Sequence, residues 1–83
     1  MPAHPNQRAK RWRLLFRKTL VRSFHVRYFE IDALPPSGWI ASEREDERVV
    51  HERRYTDWHR VERAAMRFTR EVADLQRQGW LET

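Results

Sequence analysis

The clearest periodicity lies near the C-terminus. Val61, Ala64, Ala65, Phe68, Val72 and Leu75 project within about 100° of one another at helical spacing, the apolar stripe of a helix lying on a core. Thr56 or Asp57 can cap its start, and Gly79 ends it at the first position past the helix. Trp80 is then placed against Leu75, the contact of a Schellman ending, so a helix is predicted over residues 57–78. Residues 23–32 follow a different rule, two-residue alternation, with Phe24, Val26 and Tyr28 on one face and His25, Arg27 and Phe29 on the other; this is the best strand in the chain. Leu34-Pro35-Pro36-Ser37-Gly38 reads as a turn, and a second strand begins at Trp39-Ile40-Ala41. The run Glu43 to Glu47 has no apolar residue and would repel itself inside a sheet, so it is expected as an exposed hairpin loop before a third strand, 48–55.

Nearer the N-terminus, Trp12, Leu15, Phe16, Thr19 and Leu20 recur at i, i+3, i+4, i+7 and i+8, with Asn6 as a cap, predicting a cationic amphipathic helix over 7–21. Its acid-free first turn is poorly matched to the helix dipole. The expected fold is α+β in the order αβββα: a basic N-terminal helix, a three-stranded antiparallel sheet, and a C-terminal helix packed on one sheet face. Residues 1–22 are read as a basic arm and 23–83 as the sheet-plus-helix domain.

Charge sharpens this division. Arg8, Lys10, Arg11, Arg13, Arg17, Lys18, Arg22 and Arg27 fall in the first 29 residues without one Asp or Glu, whereas residues 30–47 hold six acids against Arg44 alone. Within a net charge of +5, such segregation marks an electrostatic footprint. The chain has 83 residues and no cysteine, which allows one small domain with a thin core and excludes disulfides and thiolate zinc sites. A core this thin makes a homodimer reasonable. The apolar runs are too short for a membrane span or secretory leader, and a cytoplasmic location is expected.

From Tyr28-Phe29-Glu30-Ile31 as a strand, through Gly38-Trp39 opening the next, to a hairpin, an amphipathic helix and Gly79-Trp80, the order of signals over residues 24–81 resembles the WGR domain. That family is a small β-sheet module with a covering helix, found near DNA-contacting regions. Asp46-Glu47-Arg48 stands in the register of the family's tripeptide, so the resemblance carries a DNA-contacting role to Arg48 alone.

The basic segment interleaves its cations with aromatic rings. Arg8, Lys10, Arg11, Arg13, Arg17, Lys18, Arg22 and Arg27 can hold phosphates while Trp12 stacks or inserts, so a nucleic-acid partner, DNA or RNA, is expected for them and for Arg48. The alternative is a protein-interaction module of a phage or mobile element, binding a host protein through Glu43, Glu45, Asp46 and Glu47. Attachment of the arm to anionic membrane is a weaker third reading. Arg60, Arg63, Arg67 and Arg70 form a helix stripe, but Arg67 with Glu71 and Arg70 with Asp74 stand at i, i+4, so the stripe is read as a solvated, partly neutralised face. No two histidines have i, i+4 spacing, and neither a nucleophile motif nor a phosphate-cradling glycine loop occurs. No enzyme activity, metal or cofactor is therefore expected.

Overall fold

The computed structural model describes residues 14–83. Four strands run as an antiparallel meander: β1 (Leu14–Arg22), β2 (His25–Ala33), β3 (Trp39–Glu45) and β4 (Arg48–Tyr55). Helix α1 (Trp58–Arg77) follows, and a short strand, β5 (Leu81–Glu82), returns beside β1. Among the described residues, the result is one five-stranded sheet of order β4-β3-β2-β1-β5 with a single helix.

This corrects the αβββα expectation. Of the N-terminal helix predicted over 7–21, residues 7–13 lie outside the described residues, and the remainder is strand β1. Leu15, Phe16, Thr19 and Leu20 satisfy a helical spacing, but Phe16, Lys18 and Leu20 also alternate with Leu15, Arg17, Thr19 and Val21. Short apolar stretches fit both periods. Pairing along nearly the whole of β2, from Leu14 opposite Asp32 to Arg22 opposite His25, decides between them; an acid-free helix has no i, i+4 ion pairs with which to compete. The tight turn Ser23-Phe24 closes this hairpin, with Ser23 at φ 54°. The arm expected as residues 1–22 thus contributes its second half to the sheet.

The acidic loop is corrected as well. Glu43 and Glu45 belong to β3, and only Asp46 and Glu47 make the turn, at φ 49° and 71°. Two successive positive φ values fit the right-handed twist of a two-residue hairpin. At the other end of β3, Gly38 has φ 118° and lies against β4, where an added Cβ would meet the Tyr55 carbonyl oxygen at 2.7 Å.

Helix α1 matches its expectation closely. Asp57 caps it by accepting a hydrogen bond from the His59 backbone amide at 3.0 Å. At its end the Trp80 amide donates to the Leu75 carbonyl at 3.0 Å and the Gly79 amide to the Gln76 carbonyl at 3.1 Å, the paired bonds of a Schellman ending. Val61, Ala64, Phe68, Val72 and Leu75 are buried against Leu20, Phe29, Ile31 and Ala41. Phe68 sits at the centre, its ring 5.2 Å from Phe29 and 5.7 Å from Phe16. The helix covers the middle of one sheet face. Every residue of β4 up to Arg54 remains exposed, and among the described residues no element covers the opposite sheet face.

Candidate nucleic-acid interface

Arg8, Lys10, Arg11, Trp12 and Arg13 lie outside the described residues. The other members of the expected basic site are dispersed by strand alternation and partly neutralised. Arg17 points to the uncovered sheet face and donates to Glu30 Oε2 at 2.9 and 3.2 Å. Lys18, next along β1 and on the opposite face, is bound to Glu82 at 2.8 Å. Arg22 ends β1 beside Gly79. Arg27 is held between sheet and helix, ion-paired with Glu43 and stacked over the Phe29 ring at 5.4 Å. Arg48 is exposed at the start of β4.

The acidic residues of the alternative reading are also divided. Glu43 is 13% exposed and committed to Arg27. Asp46 accepts from the Val26 amide at 2.8 Å and binds His25 Nδ1 at 2.7 Å, leaving Glu45 and Glu47 as the acids of the group without a salt bridge among the described residues. The His25–Asp46 contact raises the imidazole above its ordinary value, chiefly through the hydrogen bond to the carboxylate and then through its charge. That bond likewise lowers the Asp46 carboxyl, helped by the Val26 amide.

A second set of cations is more accessible. Residues 48–70 contain seven arginines against three acids, carried by β4, the loop after it and α1. Arg54 and Arg60 line a groove with Tyr55, Thr56 and Asp57. Farther along, Val50, His51, Arg53 and Arg67 border a second groove of about 460 Å³ with Glu43, Phe68 and Glu71. Arg67 donates to the Tyr55 hydroxyl at 3.5 Å, and Arg53 reaches His51 at 3.2 Å. The expected Arg70–Asp74 pairing does not form, because Asp74 is taken by Arg77. Among the described residues, none of Arg53, Arg54, Arg60, Arg63, Arg67 and Arg70 makes a salt bridge. The stripe read from the sequence as a solvated face is exposed, and its four arginines make no salt bridge among the described residues.

Inside the second groove the charge balance is local. Burial and then the negative charge of Glu43 raise the Glu71 carboxyl above its ordinary value, opposed by Arg27 and Arg67. Glu43 is ion-paired with Arg27, and Glu71 lies in the field of Arg67 as well as Arg27, so the acids of this groove offset part of the arginine charge there. Arg53 and Arg54 escaped notice in the sequence because they sat in a strand without an evident binding motif. The available signal was β4 itself, Arg-Val-Val-His-Glu-Arg-Arg-Tyr, whose charged residues occupy both faces and cannot all turn away from a core.

The chain enters the described structure at this same end. Leu14 is opposite Asp32, Ala33 opposite Trp39, and Trp39 opposite Tyr55, so the start of β1, the end of β4 and the start of α1 share one edge of the sheet. β1 and β4 are three strand spacings apart, about 14 Å. Among the described residues, no group of three or more metal-ligating side chains occurs, and no helix is long and apolar enough to cross a membrane. Comparisons with protein-family models, curated proteins and solved structures returned no match.

Proposed function

We propose that this chain is a non-enzymatic nucleic-acid-binding domain that grips backbone phosphates through the β4–α1 arginine margin, extended by the basic segment before β1. One observation carries the reading: Arg54 and Arg60 border one groove and Arg53 and Arg67 another, and these four, like the exposed Arg63 and Arg70 of α1, make no salt bridge among the described residues, whereas Arg17, Lys18 and Arg27 are committed to acids. Guanidinium groups suit phosphate because their planar donors make paired hydrogen bonds. Arg8, Lys10, Arg11 and Arg13 precede Leu14 in sequence, and β1 begins at the sheet end that carries Arg54 and Arg60, so one polyanion is expected to engage both sets. Such a partner is available in the cytoplasm.

The test is binding of a labelled oligonucleotide across a salt series. Affinity is expected to fall steeply with salt, and Arg60→Gln, Arg63→Gln and Arg67→Gln are each expected to reduce the log–log slope by roughly 1 on duplex DNA. Removing residues 1–13 should reduce it further. Failure to bind any polyanion at low ionic strength overturns the reading.

A further inference from the structure

The uncovered sheet face has a feature that phosphate binding does not use. Tyr28, in the middle of β2, lies opposite Thr19 of β1 and Arg44 of β3, and one pleat along, Glu30 lies opposite Arg17 and Ser42. These residues border a groove of about 290 Å³, at the small end of the range for bound small molecules. Tyr28 is 39% exposed and lines the groove beside Thr19, Ser42 and Arg44. Arg17 is fixed by Glu30, while Arg44 has no salt bridge among the described residues and its guanidinium remains exposed.

We infer that this groove receives an unpaired base of a single-stranded nucleic acid, stacked on Tyr28 with the adjoining phosphate on Arg44. The inference rests on the nucleic-acid reading above and narrows it to a strand class. Bases within a duplex have both π-faces occupied by their neighbours, so a Tyr ring in a groove of the sheet face stacks on a splayed base. Around the ring, the Thr19 and Ser42 hydroxyls can donate or accept. Both Arg17 bonds go to Glu30 Oε2, which leaves Oε1 to accept from a base. An aromatic plane, an uncommitted cation and such polar groups complement a nucleotide better than an apolar protein surface.

The full-length chain should be titrated with a single-stranded oligodeoxynucleotide of about a dozen nucleotides, a length within the usual range of single-strand sites, and with the duplex of the same length. The expected result is tighter binding of the single strand. Tyr28→Ala and Tyr28→Ile should weaken single-strand binding about tenfold, as loss of one stacked base does, without changing duplex binding or the salt slope. Tyr28→Phe should retain the affinity, and Arg44→Gln should lower the single-strand slope by about 0.7. The isoleucine variant keeps a strand-compatible side chain, and thermal melts of each variant separate misfolding from lost stacking. Equal affinity for the two ligands, or a Tyr28→Ile effect equal on both or absent from both, overturns the Tyr28 site while leaving phosphate binding intact. Binding of neither ligand by the unaltered protein overturns both readings.

Discussion

Gly38 illustrates how one residue constrains the junction of loop and sheet. Its φ of 118° is closed to side chains, and the Tyr55 carbonyl fills the space where a Cβ would go. Gly38→Ala is therefore expected to cost at least about 2 kcal/mol, measurable by urea unfolding; an unchanged midpoint would show that β4 can move aside. His25 and Asp46 give a second residue-scale prediction. The folded His25 value lies above 6.5, so its contribution to stability is complete below 6.5 and is lost as pH rises through the folded value. Asp46 is lowered from 3.8, so its contribution is present above 3.8 and is lost as pH falls through its folded value. The pair therefore stabilises the turn between those two folded values. NMR titration should find His25 above 6.5, and Asp46→Asn should return it to about 6.5.

At the scale of elements, α1 is attached to the sheet largely through Phe68 and its buried neighbours. Phe68→Ala removes contacts to Phe16 and Phe29 at once and is expected to cost about 3–5 kcal/mol, observed as a large fall in melting temperature. A loss below about 1 kcal/mol would mean that α1 is held by other contacts. The flank of the same helix responds to pH. Glu71 has a folded value above 4.5, so the folded chain retains this proton more tightly than the unfolded chain does. Its contribution to stability is greatest below 4.5 and diminishes as pH rises through the folded value. Glu71→Gln should flatten the stability curve above pH 4.5 and raise the melting temperature at neutral pH. A steeper curve or a lower melting temperature would mean that the attraction of Arg27 and Arg67 for the carboxylate outweighs burial and Glu43.

For the whole molecule, the consequential feature is the asymmetry of helix coverage. α1 shields the centre of one sheet face and leaves β4 exposed along its length. An open edge strand invites pairing with another copy. Arg48, Glu52, Arg53 and Arg54 place charge along this edge, one of the means by which exposed edge strands are kept from pairing. The chain should accordingly sediment as a monomer at low micromolar concentration without nucleic acid; a stable dimer abolished by Arg53→Glu would reverse that expectation.

Some of this was legible without coordinates. The apolar stripe from Val61 to Leu75, the Asp57 cap and the Gly79-Trp80 ending identified α1 because helical periodicity and end signals are local, and 22 residues sample several turns. Strand β2 was legible from its alternation, as was the uneven distribution of charge. Strand β1 was not: the Leu14–Arg22 stretch satisfies two periods, and only its hydrogen bonds to β2 choose one. The candidate site was least accessible of all. Whether a cation is free depends on which carboxylate folding brings beside it, and the acids that hold Arg17, Lys18 and Arg27 are 13, 64 and 16 residues away in sequence. Neutralisation of Arg17, Lys18 and Arg27, and exposure of Arg53, Arg54 and the α1 stripe, were decided by strand register and by where the helix came to lie, because ion pairing acts over a few ångströms of space irrespective of distance along the chain.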